Sequence, residues 1–181
     1  MSNQILTTDR LRLEPLTLER IDAALNDRDR LAGLVRARVS EEWPNDDFLR
    51  ALPVIRTDVE TNPEFGYWSR LLVHGDLVIG DAGFKSLPLR GRVEIGYGII
   101  PAMQGRGFAT EAASALVAWA FTRAGVTRIV AESLESNTAS IRVLKKVGFR
   151  RTGRVHTGEG PMLKWAINRP ELDRAISRRP G

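Results

Sequence analysis

The residues best suited to chemistry in this chain form a glycine-rich turn, residues 104–110, with the sequence Gln-Gly-Arg-Gly-Phe-Ala-Thr. Glycine tolerates backbone conformations that aim successive N–H groups at one point, and the apolar helix predicted to start near Gly107 adds a partial positive charge. Each charge placed at such a helix terminus is worth about 0.3 to 1 kcal/mol. The turn therefore indicates a site for a phosphate-bearing ligand.

Two familiar phosphate motifs fit this turn poorly. A dinucleotide-binding turn requires a third glycine where this chain has Thr110, and it opens the first strand–helix–strand unit rather than lying past the middle of the chain. A P-loop requires a Gly-Lys-Ser/Thr sequence, which does not follow. The sequence thus favours a phosphate ligand other than a nicotinamide dinucleotide or a nucleoside triphosphate.

The strand predicted before the turn, 92–100, is unusual for its glycines. Apolar residues alternate on one face, whereas Glu94, Gly96 and Gly98 share the other. Two glycines on one face indicate a bulge or a close approach by another group, and the ligand is one candidate for that group.

Periodicity predicts an α/β protein around this strand. The predicted strands span 10–16, 67–74, 77–84, 92–100, 128–134, 149–155 and 162–168. The predicted helices follow Thr17 and span 29–39, 46–52, 54–60 and 108–123, with a last one from Ser136 or Asn137 to Val147. Helix 108–123 lies between two strands, which predicts a parallel pair with a right-handed crossover.

Segment 40–63 is the least regular part of the chain, and it precedes the main sheet. We expect it to border a binding cleft. Trp43 within it has two interpretations, since it either faces that cleft or pins the segment to the core.

Composition sets the class of protein. A length of 181 residues suits one domain, 1–181, with a polar, basic peripheral tail over 169–181. Cysteine is absent, which excludes disulfides and a catalytic thiol. No apolar run reaches membrane-spanning length, so we expect a cytoplasmic protein without a membrane partner. The formal net charge of +5 fits nucleic-acid contact, an anionic ligand or simple solubility.

Several motifs resemble the GNAT family of N-acetyltransferases. Residues 104–109 match its acetyl-CoA signature, Gln/Arg-x-x-Gly-x-Gly/Ala, at a strand-to-helix turn. The segments 8–13 (Thr-Asp-Arg-Leu-Arg-Leu), 94–97 (Glu-Ile-Gly-Tyr) and 137–149 (from Asn-Thr-Ala-Ser to Val-Gly-Phe) resemble the branch that acetylates the N-termini of ribosomal proteins. The resemblance covers nearly the whole chain and is weakest over 40–63.

This resemblance implies a three-layer fold with a mixed sheet of about seven strands, splayed where acetyl-CoA binds. It implies that the pantetheine arm lies along strand 94–100, and that backbone N–H groups of residues 104–109 bind the pyrophosphate with Arg106 adding charge. The implied acetyl-CoA contacts are Ile99, Ile100, Gln104, Gly105, Arg106, Gly107, Phe108, Ala109, Thr110, Asn137, Ser140 and Lys146.

The implied reaction is direct transfer of acetyl from sulfur to a neutral amine, with Glu94, Asn137 and Ser140 as catalytic residues. Glu94 is the candidate base, directly or through water, and a structural glutamate is the alternative. Ser140 is the candidate acid, with water as its rival, because the helix after Asn137 lacks the tyrosine that many family members use. Asn137 also suits a helix cap, and the two roles are compatible. We interpret Glu111 as a structural group at a helix N-terminus.

The acceptor implied is a primary amine, either a protein N-terminus or a small molecule such as a polyamine or an amine-bearing antibiotic. The net positive charge disfavours a polycation unless an acidic patch lines the entrance, for which Glu41, Glu42, Asp46 and Asp47 are candidates. His74 and His156 have no metal-ligand partners nearby in the sequence, so no metal is expected. A homodimer is compatible with the family. The rival interpretations are a silent acyl-CoA sensor and a module associated with RNA or the ribosome.

Overall fold

The computed structural model describes residues 5–170, which form a nine-stranded sheet with five α-helices. The strands are β1 Leu6–Thr7, β2 Arg12–Pro15, β3 Arg38–Val39, β4 Ser69–His74, β5 Leu77–Phe84, β6 Arg92–Ile99, β7 Arg128–Leu134, β8 Arg150–Thr157 and β9 Gly160–Asn168. The helices are α1 Leu18–Asn26, α2 Arg28–Val35, α3 Asp46–Thr61, α4 Phe108–Phe121 and α5 Thr138–Val147.

The sheet has the order β1-β2-β4-β5-β6-β7-β9-β8, and β3 pairs with β5 in parallel. Helix α4 connects β6 to β7, and these two strands run parallel, as the strand–helix–strand pattern predicted. The other pairs along the order are antiparallel. The α/β class with a mixed sheet is confirmed.

The sheet splays between β6 and β7. The two strands pair only over residues 92–94 of β6, which lie opposite 128–130 of β7. Beyond Glu94, β6 stays paired with β5, whereas β7 stays paired with β9. A gap therefore opens along the C-terminal half of β6, directly before the glycine turn.

Helices cover both faces of the sheet near this gap. On α4, Ala112, Ala113, Leu116 and Ala120 are at most 1% exposed, which fits its nearly uniform apolar sequence. The C-terminal part of α4 packs on the face of β5 that carries Phe84. Trp43, in the segment before α3, lies on the opposite face of β5, where it contacts Asp81.

The structure corrects three local predictions. Two short strands, β1 and β3, raise the number from about seven to nine, since two residues are too few to show an alternating pattern. Helix α2 ends at Val35 rather than continuing to residue 39, because Arg36 adopts a left-handed conformation (φ 50°). The two helices predicted over 46–60 are one helix, α3, with Pro53 in its interior. Proline disfavours a helix interior, but the buried residues Leu52 and Val59 on either side of it pack the helix against the core.

The domain prediction for 1–181 stays a prediction. The predicted tail, 169–181, lies outside the described residues from 171 onward.

Candidate active site

The glycine turn presents a row of free backbone donors. Gly105 (φ 75°) and Gly107 (φ 84°) are left-handed, and α4 begins at Phe108. Within residues 5–170, none of the N–H groups of 105–110 makes a hydrogen bond, whereas the next one, that of Glu111, donates to the carbonyl of Gly107. Six adjacent donors at a helix N-terminus are suited to a pyrophosphate.

The turn is held from behind by the N-terminal segment. Glu111 accepts hydrogen bonds from Thr8 Oγ1 (2.6 Å) and Arg10 N (2.9 Å), and it forms an ion pair with the Arg10 guanidinium (2.7 Å). Arg10 also donates to the carbonyl of Arg106 (3.0 Å) and lies over the Phe108 ring. Partial burial acts to raise the pKa of Glu111, but the bonds from Thr8 and Arg10 outweigh it and hold that pKa below its usual value. These contacts support the structural role predicted for Glu111.

The free edge of β6 faces the gap. Backbone bonds of Glu94 and Ile100 to β5 fix the alternation, so the N–H and C=O groups of Tyr97 and Ile99 are directed away from β5. Gln104 Nε2 donates to the carbonyl of Ile99 (2.9 Å), which ties the turn to the end of the strand. An extended ligand can therefore pair with this edge like an added strand.

Asn137 and Ser140 lie at the start of α5. The Asn137 side chain accepts from the Ser140 backbone N–H (2.9 Å), so it is the helix cap that the sequence predicted. Ser140 Oγ lies 3.1 Å from the hydroxyl of Tyr97, a residue without a predicted role. Burial raises the pKa of Tyr97, although its hydrogen bond with Ser140 acts in the opposite direction. The pair of hydroxyls can therefore hold a proton at neutral pH.

The other residues predicted to contact acetyl-CoA lie in different parts of the structure. Arg106 is exposed in the turn, and Thr110 lies in the first turn of α4. Ile100 is buried, and its N–H donates to Ile79 of the neighbouring strand. Lys146 is exposed in the last turn of α5 and does not line the cavity between α3 and the sheet.

A cavity of about 660 Å³ lies between α3 and the sheet and reaches the gap. Gly96, Gly98, Asn137 and Ser140 are among its lining residues. Four carboxylates also line it, contributed by Asp47, Asp58, Asp81 and Glu132. Of the acidic residues predicted at an entrance, Asp47 is at this cavity, whereas Glu41, Glu42 and Asp46 are not among its lining residues.

Glycines on β6 form part of this cavity wall. A Cβ at Gly96 would meet nothing within 4 Å, so that position is open. A Cβ at Gly98 would lie 3.2 Å from Asn45 Nδ2 and 3.7 Å from Asp81 Oδ1. The close approach predicted at these glycines therefore comes, at Gly98, from protein side chains.

Asp81 is the buried acid of the cavity. Its residue is 8% exposed, and its Oδ1 accepts a hydrogen bond from Trp43 Nε1 (3.0 Å). Trp43 is 2% exposed, so it pins its segment to the core, and its indole N–H reaches the cavity's acid. Burial raises the pKa of Asp81 to about 7, and the Trp43 bond limits that rise. The only signal in the sequence was one acidic residue within a buried, mostly apolar strand.

Asp81→Asn is expected to stabilise the protein at high pH. A carboxyl whose pKa rises on folding binds more protons in the folded state, so stability is lost as pH rises from about 4 to about 7. A rise in the pKa from 3.8 to about 7 corresponds to a loss of at most about 4 kcal/mol in the free energy of unfolding at high pH. Asparagine does not ionise, so the variant does not suffer this loss. Denaturant unfolding should show a gain for the variant at pH 8 that vanishes near pH 4. A difference that does not vary with pH would contradict the assignment.

Glu94, the predicted base, faces the same side of the sheet as Gly96. Its carboxylate is ion-paired with Lys85, and its side chain is 22% exposed. Glu94 is not among the residues that line the cavity.

A larger cavity, of about 800 Å³, lies elsewhere. It is lined by residues from the start of β4 and the segment before it, from the loop before β6, and from the end of α4 and the turn that follows, among them Trp68, Arg70, Trp119 and Arg123. Neither the glycine turn nor the free edge of β6 contributes to it. We therefore place the candidate site at the smaller cavity and the gap.

Residues 5–170 contain neither a helix that could span a membrane nor a group of side chains that could hold a metal ion. Among residues 5–170, no helix combines the length and apolarity that a membrane crossing requires. In the same range, no cluster of three histidine or acidic side chains is arranged to hold a metal ion.

The chain is similar to several known proteins. A family model described as an acetyltransferase (GNAT) domain matches residues 10–150. An uncharacterized N-acetyltransferase of Bacillus subtilis, YjdG, is 34% identical over 149 residues, which are 80% of this chain and 89% of that protein. An aminoglycoside N(6')-acetyltransferase type 1 of Klebsiella pneumoniae is 36% identical over 73 residues, which are 40% of this chain and 36% of that protein. The solved structure of RimL, a ribosomal L7/L12 alpha-N-protein acetyltransferase in complex with coenzyme A, is similar with a TM-score of 0.66 at 19% identity and covers 91% of this chain and 97% of RimL.

Proposed function

Because this chain belongs to the GNAT family of acetyl-CoA-dependent N-acetyltransferases, we propose that it acetylates the primary amine of a small, positively charged molecule. The observation that carries this proposal is the cavity of about 660 Å³ with four carboxylates in its wall. Its volume is that of a small-molecule site, and its lining of four acidic residues to one lysine favours an ammonium group. The partial match to an aminoglycoside acetyltransferase points to the same class of acceptor.

The donor side of the proposal rests on the turn and the gap. Acetyl-CoA supplies the activated acetyl group. Its pyrophosphate would accept hydrogen bonds from the N–H groups of residues 105–110, and its pantetheine arm would pair with the edge of β6 at Tyr97 and Ile99. Ser140 and Asn137 then stand where the gap meets the cavity, so the thioester and the amine meet there. The N–H of Tyr97 is our candidate for stabilising the thioester oxygen as charge develops on it.

A protein N-terminus is the second candidate acceptor. Val54, which lines the cavity, is 64% exposed, and Leu49 on the same helix is 45% exposed. Exposed apolar residues beside the cavity suit contact with a peptide chain. An acceptor on the ribosome and a homodimer stay predictions.

Glu94 as the base also stays a prediction. To take a proton, its carboxylate must give up its ion pair with Lys85. A catalytic role requires that Glu94→Gln lower turnover while the affinity for acetyl-CoA stays unchanged. Unchanged turnover between about pH 6 and about pH 9 would remove Glu94 from the mechanism.

The test of the proposed function is thiol release from acetyl-CoA with a panel of amines. We expect turnover with kanamycin or 1,4-diaminobutane to exceed turnover with a peptide that has a free N-terminus and no other amine. A preference for the peptide would favour the second candidate. Stabilisation by acetyl-CoA without turnover of any amine would contradict both and favour a sensor, and RNA binding with a steep salt dependence would favour the RNA-associated alternative.

A further inference from the structure

Asp81 differs from the other acidic residues of the proposed acceptor cavity because it lies on β5, directly beside β6. It pairs with Gly98 across β5 and β6, on the sheet face that α3 covers. Asp81 and Gly98 both line the cavity, as do Gly96 and Tyr97 beside the gap, and the Asn45 side chain lies close to Gly98. A group in the cavity can therefore approach both Asp81 and the gap.

Most of the other ionisable side chains lining the cavity have a charged or hydroxyl partner. Asp58 is the exception among residues 5–170, and it lies on α3 rather than on a strand beside the gap. Asp47 is paired with Arg50, Lys85 with Glu94, and Glu132 with Lys164. The hydroxyl of Tyr97 lies against Ser140 on the other face of β6. Asp81 has one neutral donor, the indole N–H of Trp43, on one of its two oxygens. The ionisable lining residues besides Asp81 are Asp47, Asp58, Lys85, Tyr97 and Glu132.

We propose that Asp81 binds the ammonium group of the acceptor and takes its proton, which leaves the neutral amine that attacks acetyl-CoA. This inference rests on the proposed function, since it requires that the acceptor occupy the cavity. Trp43 is a positioning residue, because its N–H donates to one oxygen of the Asp81 carboxyl, which lines the cavity.

In the proposed transfer, the ammonium group loses one proton to Asp81 and a second to the leaving sulfur. The ammonium N–H bond breaks, its proton goes to Asp81, and the freed lone pair forms the C–N bond to the acetyl carbon. The C–S bond breaks, and its electron pair leaves with the sulfur. The second proton of the attacking nitrogen reaches this sulfur, directly or through the Ser140 and Tyr97 hydroxyls, and Asp81 releases its proton to solvent.

The acidity of Asp81 suits this role. Burial raises the pKa of its carboxyl to about 7, so its carboxylate is a stronger base than that of an ordinary aspartate. A general base whose pKa lies near the working pH is ionised in a large fraction of molecules and is still basic enough to accept a proton. The acid limb of kcat/KM in the wild-type protein is therefore expected near pH 7.

The test compares Asp81→Asn with wild-type protein on two amines of similar shape, ethylamine and 2,2,2-trifluoroethylamine. Fluorine withdraws electron density, so trifluoroethylamine is already neutral at pH 7 and needs no base. We expect kcat/KM for ethylamine to fall by about 10²-fold in the variant. The value for trifluoroethylamine should change by only a few-fold, and the acetyl-CoA affinity should match that of the wild type. Asp76→Asn, the same change at an exposed residue of the β4–β5 turn, is the control.

Trp43→Phe provides a second readout. Loss of the indole donor raises the pKa of Asp81 further, so the acid limb of kcat/KM is expected to move to higher pH. Equal losses with both amines in Asp81→Asn, or no loss with either, would overturn the assignment while leaving the proposed function intact. Wild-type protein that binds acetyl-CoA but acetylates no amine would instead contradict the proposed function, and the Asp81 assignment with it.

Discussion

Gly107→Val is expected to abolish measurable acetyl-CoA binding while the protein stays folded. Gly107 has φ 84°, and a β-branched residue is strongly strained there. The turn should relax to a conformation in which the N–H groups of 105–110 no longer converge. Each hydrogen bond to a charged group is worth about 1.5 to 3 kcal/mol, so losing two weakens binding by about 3 to 6 kcal/mol, or more than about 100-fold. Calorimetric titration with acetyl-CoA measures the loss.

Gly125→Val is a matched control for this prediction. Gly125 also has φ 84°, and a Cβ there would meet nothing within 4 Å. It lies between α4 and β7, remote from the glycine turn in the sequence. The control should lose a similar amount of thermal stability, because its backbone is similarly strained, and should bind acetyl-CoA with wild-type affinity. Retained affinity in Gly107→Val would remove the turn from the binding site.

Ser140→Ala is expected to lower kcat by about 10²-fold with little change in acetyl-CoA affinity. The substitution removes the hydroxyl that contacts Tyr97 but keeps the backbone N–H that Asn137 caps, so α5 should be preserved. The leaving sulfur then loses its nearest proposed proton donor. Tyr97→Phe should have a smaller effect, because the serine hydroxyl remains.

Ser114→Ala, at an exposed position of α4, serves as the control for Ser140→Ala. It removes a hydroxyl outside the proposed site, so its kcat should equal that of the wild type. Steady-state kinetics and a separate binding titration distinguish the outcomes. Wild-type kcat in Ser140→Ala, or a loss of affinity that accounts for the whole defect, would exclude Ser140 as the acid.

The donor half of the site was predictable from the sequence because its function depends on backbone geometry. Gly105 and Gly107 mark the turn whatever surrounds them, and the alternation in β6 separates the face that carries Gly96 and Gly98 from the apolar face. Asn137 could be recognised as a cap from its position before an amphipathic stretch. Such features are local, and local patterns are what a single sequence records.

The acceptor half was not predictable because it is assembled from distant segments. Asp81 meets Trp43 only because α3 and the segment before it fold over β5. The hydroxyl contact between Tyr97 and Ser140 likewise depends on how α5 packs against β6. Pro53 led to a wrong division of α3, since proline disfavours a helix interior and tertiary packing overrode that preference. No periodicity in the sequence encodes these contacts.

The most direct test of the account is a crystal structure of the protein with coenzyme A. We expect the pyrophosphate within hydrogen-bond distance of the backbone N–H groups of residues 105–110. The pantetheine should lie between β6 and β7, with the sulfur near Ser140 and facing the cavity that contains Asp81. Coenzyme A bound instead in the larger cavity beside Arg70 and Trp119, with the glycine turn unoccupied, would contradict the account.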